Sequence, residues 1–307
     1  MSDQSEQVIV NWAPIFGRWS VEGEKVQYQG AVRTDGGTSF GLCISGAQLQ
    51  EGSISTSVAV GKDTGGTIIL GYRGSKERHF SSGVFLSKGA AYSIAEFDPA
   101  SGWRTLASAG ESANLVPERE YKLKVAVTGH RLNMFVDGVK VLEHVVLGPL
   151  LEGQTGLFAN GPGTATFSKV VVCPVRPKVF VIMQFSDRYK QLYSKVIKPV
   201  TNEFKLDAYH VGEVFGPGVI LNDIAQGIID SHIVVAEITP VTPNVFYELG
   251  YAHALGKPTI LLAEHGKELP FDVGPYRCIF YENSIGGEKE VEEALRKHLG
   301  AITRQAA

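Results

Sequence analysis

The spacing of apolar residues changes near residue 173 of this 307-residue chain. Before that point, apolar and polar positions alternate over short runs separated by turn residues, which is the period of β-strands. The clearest runs are 121–127, 132–136 and 139–144. Asp137-Gly138 separates the last two, and Asp-Gly is a strong hairpin signal because both turn positions need a positive φ. These runs predict a three-strand meander.

The rest of this part of the chain has the same character and contains no convincing helical period. Further strands are predicted at residues 25–29, 53–60, 67–72, 83–86, 92–97 and 103–107. Short alternating strands without helices are typically arranged as two sheets packed face to face. We therefore predict an all-β sandwich over residues 1–174.

After residue 177, apolar runs alternate with segments of helical spacing. Strands are predicted at 178–183, 208–211, 232–238, 259–263 and 278–281, and helices at 187–204, 219–230, 243–255 and 288–299. This order predicts an α/β domain over residues 178–307, in which a parallel sheet of about five strands is covered by helices on both faces. Residues 175–177 form the predicted linker, since Pro174 and Pro177 should neither continue a ladder nor enter a helix.

Composition and net charge limit the kinds of partner and the cellular compartment that we expect for this protein. The net charge of −3 argues against nucleic-acid binding by electrostatics. The three cysteines form neither a disulfide framework nor a zinc motif, which favours a reducing compartment. With no long apolar window and no apolar signal segment near Met1, we expect a soluble, cytoplasmic protein without membrane contact, metal or cofactor.

Ligands of open parallel sheets bind beyond the carboxyl ends of the strands. Three loops reach that edge, at residues 184–187, 212–218 and 237–242. Ser186 and Asp187 begin one helix, and Gly216 and Gly218 precede the next, so exposed amides there are predicted to hold phosphates. The alternative is that both are ordinary caps and turns. Gln184 and Phe185 are the remaining predicted ligand contacts in the first loop.

The third loop leads into the most specific run of the chain, residues 244–252. Thr242 is a natural N-cap, Pro243 suits the first helical position, and Gly256 ends the helix. Helical geometry puts Asn244, Glu248 and Tyr251 on one stripe facing the crevice. An apolar stripe lies beside it, formed by Val245, Leu249 and Ala252. Tyr247 and Tyr251 would either stack on a base or only pack.

Glu248 is the predicted catalytic residue. A carboxylate near a helix amino terminus is favoured in its ionised form, which suits a nucleophile at a glycosidic centre. A second acid would help the base to leave, and Glu237 and Asp223 are the candidates. Each acid has a simpler interpretation, as a solvated polar residue or a helix cap.

The second domain resembles the nucleoside 2-deoxyribosyltransferase family and related nucleotide N-glycosidases at residues 179–183, 223–224, 233–239, 247–252 and 256–258. The resemblance implies a flavodoxin-like sheet, Glu248 as nucleophile, and Glu237 in contact with sugar or base. TIR-type domains that cleave NAD are similar. The sequence departs from the transferases at Gln184-Phe185, where they usually have tyrosine, and at Glu237, where many have aspartate. We therefore expect the protein to hydrolyse a nucleotide or NAD rather than to transfer a sugar between bases. NAD would then be a substrate and not a cofactor.

Residues 8–173 resemble the laminin-G and concanavalin-A-like jelly rolls. This resemblance implies a recognition module for a glycan or protein partner, with Trp12, Trp19 and Trp103 either stacking on sugar or lying in the core. The two domains together resemble bacterial antiviral defence effectors, in which recognition switches on NAD destruction. The sandwich would then be the sensor or assembly module, and a homo-oligomer is a further expectation. Two alternatives remain open: a non-catalytic nucleotide sensor, and a protein whose function lies in the glycan- or protein-binding sandwich.

Overall fold

The computed structural model describes residues 11–32, 37–86, 89–148, 150–213, 220–239, 241–267, 277–282 and 284–306. The chain groups into two compact units. The first contains residues 1–127, 131–144 and 151–175, and the second contains residues 176–307 together with the short segments 128–130 and 145–150.

The first unit consists of two antiparallel seven-stranded sheets. Its strands are β1 Trp12–Phe16, β2 Trp19–Glu22, β3 Lys25–Gln29, β4 Phe40–Leu49, β5 Gly52–Val60, β6 Gly65–Tyr72, β7 His79–Phe85, β8 Ala90–Asp98, β9 Gly102–Glu111, β10 Tyr121–Thr128, β11 Arg131–Val136, β12 Val139–Val145, β13 Gly153–Asn160 and β14 Thr164–Pro174. One sheet has the order β1-β4-β13-β6-β7-β8-β9 and the other β12-β11-β10-β5-β14-β3-β2. Helical structure among the described residues of this unit is limited to the short 3₁₀ turn Ser112–Asn114.

The core of the sandwich lies where the two sheets face each other. Gly66 of β6 has no room for a side chain, because an added Cβ would lie 2.9 Å from Val60 and 3.1 Å from Phe167 of the other sheet. Phe167 and Val58 are fully buried at the same level. Because the two sheets pack this closely, strands whose apolar residues alternate with polar ones can form the core of the unit.

The predicted meander is confirmed. β10, β11 and β12 are neighbours in one sheet, and Asp137 and Gly138 have φ angles of 49° and 83°. Positive φ at both positions is what the Asp-Gly signal requires. Along β10, buried residues alternate with more exposed ones, as the alternating sequence predicts.

Five strands have no counterpart among the strands predicted from the sequence: β1, β2, β4, β13 and β14. In β4 the run Gly41 to Ser45 is buried without interruption, so the sequence shows no alternation there. The reason is that the second face of this sheet also carries a buried cluster, which includes Leu42, Ile44, Ile69 and Tyr72. Pro174 is a further correction, since it is the last residue of β14 and pairs with Gly52. A strand end tolerates the missing N–H.

The second unit contains one five-stranded sheet and five α-helices among the residues that the structure describes. The strands are β15 Lys178–Ile182, β16 Asp207–Tyr209, β17 Ile233–Glu237, β18 Thr259–Glu264 and β19 Cys278–Tyr281. The helices are α1 Asp187–Leu192, α2 Lys198–Glu203, α3 Ile220–Asp230, α4 Pro243–Ala254 and α5 Ile285–Ala306. Every pairing in the sheet is parallel, in the order β16-β15-β17-β18-β19.

Each face of this sheet carries its own apolar core. On one face, Val179, Val235 and Tyr281 pack with residues of α1, α2 and α5. On the other face, Phe180, Val234 and Ala236 pack with residues of α3 and α4. Alternate residues of one strand therefore serve opposite cores, which is why the buried strands appear in sequence as continuous apolar runs.

The predicted elements of this unit are found, with changed boundaries. The predicted helix 187–204 is divided, because a π-helical turn at Tyr193–Ile197 separates α1 from α2. The last helix begins before residue 288 and continues past residue 299. Gly227 brings α3 close to the sheet, since a side chain there would clash with the ring of Phe180.

Candidate functional site

The strand order places a crevice at the carboxyl ends of β15 and β17. From β15 the chain passes to β16 on one side, and it returns to β17 on the other side. Loops that leave neighbouring strands in opposite directions open a crevice between them, where ligands of doubly wound sheets bind. The loop after β15 carries Gln184 and Phe185, and the chain after β17 enters α4, which carries Glu248.

The ends of α4 follow the sequence prediction in part. Pro243 is its first residue, and Gly256 follows it with a φ of 67°. The N–H of Lys257 donates to the carbonyl of Ala252 at 3.0 Å, which closes the last turn. Thr242 is the N-cap by position, but its side chain makes no capping hydrogen bond.

The two stripes of α4 are present as predicted. Val245, Leu249 and Ala252 are buried against the sheet. On the polar stripe, Asn244 is exposed, whereas Glu248 and Tyr251 are half-buried. The ring of Tyr247, beside this stripe, is 67% exposed. The helix therefore presents a half-buried carboxylic acid flanked by an amide and two phenol groups.

The protonation of Glu248 differs from the sequence prediction. Burial raises its pKa from 4.5 to about 7. The helix amino terminus was expected to favour the ionised form, but that effect is modest beyond the first turn, and the loss of hydration outweighs it. Near neutral pH both protonation states of Glu248 are populated. A carboxylic acid with this pKa is typical of active sites.

Asp223 shares a face of the sheet with Glu248. It is half-buried on α3, next to Ile224, which packs in the same core as Val245 and Leu249 of α4. The two helices that carry these acids therefore lie side by side over one half of the sheet.

Glu237 lies on the opposite face. It is the last residue of β17 and follows the alternation of Ile233 and Val235, which pack against α1 and α5. Oε1 accepts a hydrogen bond from the N–H of Thr239 at 2.8 Å, and Oε2 accepts one from the hydroxyl of Tyr281 at 2.9 Å. Glu237 is 1% exposed, so the structure does not bring it together with Glu248, and its predicted role in catalysis stays a prediction. The strand end sends its side chain to the other face.

Phosphate binding was predicted at two positions, one at Ser186 and Asp187 and the other at Gly216 and Gly218. Ser186 is the N-cap of α1, but its side chain makes no capping bond. The carboxylate of Asp187 is 98% exposed and lies 3.9 Å from Lys190. Gly216 and Gly218 lie outside the described residues.

The loop after β15 presents an aromatic surface. Phe185 is 51% exposed, and its ring meets His210 edge-on at 5.3 Å. His210 in turn lies edge-on to Tyr193 at 4.8 Å, and burial lowers its pKa, which favours the neutral imidazole. Gln184, next to Phe185, is exposed. His210 was missed in the sequence, although its position just after β16 places it at the carboxyl edge.

A second group at this edge was also missed: Arg188, Thr239, Glu264 and Tyr281. Glu264 ends β18 and forms an ion pair with Arg188 of α1. The hydroxyl of Thr239 accepts the N–H of Glu264 at 2.8 Å. Tyr281 and Glu264 are each the last residue of a strand. Their position at a strand end was the signal in the sequence that could have identified them as residues of this edge.

The sandwich has one aromatic patch with an exposed tryptophan. Trp103 of β9 is 43% exposed, and its ring lies 5.4 Å from Phe97, 5.3 Å from His79 and 5.8 Å from Phe158. Trp19, in contrast, packs against Tyr28 and Phe167, and Trp12 is half-buried. Of the three tryptophans, Trp103 has the exposure that stacking on a ligand requires.

Two other kinds of site are absent from the described residues. They contain no cluster of three or more His, Cys, Asp or Glu residues that could hold a metal ion. No helix among them has the length and apolar content needed to cross a membrane.

Neither a protein-family model nor a curated protein matches this sequence. Among solved structures, the carbohydrate-binding module CBM66 from Bacillus subtilis is 19% identical with a TM-score of 0.44, and the match covers 52% of this chain and 92% of that one. A prokaryotic β-1,3-1,4-glucanase derived from a mouse hindgut metagenome is 10% identical, with a TM-score of 0.40 and coverages of 57% and 96%. A CMP N-glycosidase from Clostridium botulinum is 20% identical, with a TM-score of 0.33 and coverages of 39% and 98%.

Proposed function

We propose that the second unit is an N-glycosidase that hydrolyses the bond between base and sugar in a nucleotide or in NAD, with Glu248 as nucleophile. The observation that carries the proposal is the state of Glu248. Glu248 is half-buried on α4, the helix that follows β17 at the carboxyl edge of the parallel sheet, and its pKa is about 7.

Desolvation suits Glu248 for glycosidic chemistry. A carboxylate that has lost hydration gains more from a nearby positive charge than a solvated one does. The sugar acquires such a charge in the oxocarbenium-like transition state. The interaction is therefore stronger in the transition state than with the neutral sugar of the ground state, as catalysis requires.

The reaction would proceed in two steps. Ionised Glu248 attacks the anomeric carbon, the bond to the base nitrogen breaks, and the base leaves with the bonding electrons. An acid supplies the proton that a neutral nucleotide base needs, and Asp223 on the same face is the candidate. Water then attacks the anomeric carbon, its proton passes to the base form of that acid, and Glu248 is released with retention of configuration.

In this proposal the base is held by side chains of α4 and of the loop after β15. Phe185, Tyr247 and Tyr251 offer aromatic rings for stacking, and Asn244 and Gln184 offer amides that recognise base or sugar edges. NAD carries a cationic nicotinamide ring, which would favour the ionised form of Glu248 when bound. Control of this activity by the sandwich, as in a defence effector, is part of the same proposal.

The test is to incubate the full chain with NAD and with a panel of nucleoside monophosphates, and to follow free base by chromatography. We expect base release by the wild type and a loss of at least about 10³-fold in Glu248→Gln. Glu293→Gln, at an exposed position of α5, is the matched control and should retain full activity. Rapid quenching followed by peptide mass analysis should find a sugar adduct on Glu248. Tight nucleotide binding without release would instead support a non-catalytic sensor.

A second candidate function is glycan binding by the sandwich, which the exposure of Trp103 favours. Sugars present flat C–H faces that stack on aromatic rings, and Trp103 is held by three aromatic neighbours that limit its motion. Calorimetric titration of the full chain with soluble glucans and galactans tests it. Failure to bind any of them, with binding of a protein instead, would contradict it.

A further inference from the structure

We propose that Glu237, Thr239 and Tyr281 form a clamp that fixes the chain between β17 and α4, so that Glu237 is a positioning residue for Glu248. This inference rests on the proposed function for its activity readout. Its structural readout is independent of any activity.

The centre of the clamp is the buried carboxylate of Glu237. One oxygen accepts the backbone N–H of Thr239 at 2.8 Å, and the other accepts the Tyr281 hydroxyl at 2.9 Å. Thr239 precedes α4 by only a few residues, whereas Tyr281 ends β19, two strands away in the sheet. Glu237 therefore ties the start of the loop to a rigid element.

A second set of hydrogen bonds holds the same loop to β18. The N–H of Ile238 donates to the carbonyl of Leu262 at 2.9 Å, and the hydroxyl of Thr239 accepts the N–H of Glu264 at 2.8 Å. Glu264 is itself ion-paired with Arg188 of α1. The first residues after β17 are thus bound to β18, β19 and, through Glu264, to α1.

The location of Glu237 favours a positioning role over direct participation in the reaction. Its side chain lies on the face that packs against α1 and α5, whereas α4 packs on the other face. Tyr281 lines a cavity of about 310 Å³ together with Arg188 and Tyr189. Glu237 is not among the residues that line this cavity. A ligand beside Glu248 would approach from the side of the sheet away from Glu237.

The two roles predict opposite effects of a conservative substitution. In Glu237→Gln the amide oxygen still accepts the Thr239 N–H, and the amide nitrogen can donate to the oxygen of Tyr281, so the clamp survives. In Glu237→Leu both acceptors are lost, and the Thr239 N–H is left buried without a partner. A reacting acid would be disabled by both changes, because neither side chain transfers a proton.

The experiment measures kcat, KM and the pH profile of base release for wild type, Glu237→Gln, Glu237→Leu, Tyr281→Phe and the double variant Glu237→Leu/Tyr281→Phe. We expect Glu237→Gln within about threefold of wild type, and Glu237→Leu reduced in kcat by about 10- to 100-fold, since Glu248 is misplaced by a fraction of an ångström. The pH profile should keep its midpoint, and the double variant should be no worse than Glu237→Leu alone. Equal large losses in Glu237→Gln and Glu237→Leu, or a shifted midpoint of the pH profile in Glu237→Gln, would overturn the inference.

Hydrogen exchange supplies the readout without activity. The Thr239 amide should exchange faster in Glu237→Leu and at the wild-type rate in Glu237→Gln, while amides of β10 in the first unit stay unchanged. Unchanged exchange at Thr239 in Glu237→Leu would refute the clamp even if the enzyme is active. If the wild type releases no base but these exchange rates hold, the clamp stands and the proposed reaction fails.

Discussion

Glu237 and Glu248 lie on opposite faces of the five-stranded parallel sheet. Both acids belong to the segment formed by β17 and α4, and a pair of carboxylates is a common arrangement at glycosidic centres. The geometry assigns them different tasks. Both carboxylate oxygens of Glu237 accept hydrogen bonds, whereas Glu248 is half-buried on the face that it shares with Asp223 of α3.

The first prediction concerns the pH dependence of base release. Only ionised Glu248 can attack, so kcat/KM should rise with pH to a plateau, with a midpoint at about 7. Initial rates with a single nucleotide between pH 5 and 9 give the profile of the free enzyme. A rate that falls through this range would show that Glu248 donates a proton, which contradicts its role as nucleophile.

The second prediction concerns stability. The pKa of Glu248 is about 7 in the folded protein, against 4.5 for the unfolded reference, so the unfolded chain ionises first as pH rises. The contribution of Glu248 to the free energy of unfolding should therefore fall as the pH rises from 4.5 to about 7, and it should level off above that pH. Glu248→Gln should gain about 1–2 kcal/mol relative to wild type between pH 5 and 8, allowing for the partial exposure of the carboxyl group.

Urea unfolding followed by circular dichroism at 222 nm measures this difference. The five α-helices of the described residues all lie in the second unit, so the signal reports that unit. Glu293→Gln, at an exposed position of α5, should track the wild type at both pH values. A constant difference between Glu248→Gln and wild type across pH would count against the raised pKa.

The third prediction uses two glycines of the same helical segment. Gly250 lies inside α4, with open space where a side chain would be, so Gly250→Ala should stabilise by about 0.5–1 kcal/mol. Gly256 has a φ of 67°, so Gly256→Ala should destabilise by about 1 kcal/mol or more. Unfolding curves at 222 nm should show shifts of opposite sign. Shifts of the same sign would mean that the helix does not end at Gly256.

The fourth prediction tests the aromatic patch of the sandwich. Trp103→Ala should abolish glycan binding and leave the unfolding midpoint within a few degrees of wild type, because the ring is 43% exposed. Phe40→Ala, at an aromatic residue that is 52% exposed in the same sheet, is the control and should still bind. Calorimetric titration and tryptophan fluorescence give the two quantities. Equal binding by both variants would exclude Trp103 as the stacking residue.

The fifth prediction concerns the buried acid Glu96, which is 3% exposed. Burial alone would raise its pKa, but hydrogen bonds from Arg104 at 2.6 Å and from Arg78 outweigh burial and lower it. The stabilisation that ionised Glu96 provides should be complete at pH 7. It should be lost below about pH 4, where Glu96 becomes protonated in the folded protein.

Glu96→Gln should cost about 1–3 kcal/mol at pH 7 and much less at pH 3. Tryptophan fluorescence follows this change, because all three tryptophans lie in the first unit. Glu77→Gln, whose side chain is 51% exposed, should have little effect at either pH. A loss that is as large at pH 3 as at pH 7 would show that the charge of Glu96 is not what stabilises this region.

Local pattern was sufficient to predict most elements of both units. The Asp137-Gly138 turn needs only the φ preferences of two residues, and the ends of α4 need only Pro243 and Gly256. The buried stripe of Val245, Leu249 and Ala252 follows from the helical period alone. In these cases each signal acts over a few residues, so no knowledge of distant contacts is needed.

Features that depend on packing between distant segments were not predicted. β4 is buried on both faces, and so lacks the alternation by which strands are recognised. The sequence predicted the stripe that carries Glu248, but the pKa of about 7 for this residue comes from the packing around α4. The pairing of Glu237 with Tyr281 joins two strands far apart in the chain, and only the order of strands in the sheet decides it. Hydration and strand order are set by the whole fold, whereas turns, caps and helical stripes are determined by neighbouring residues.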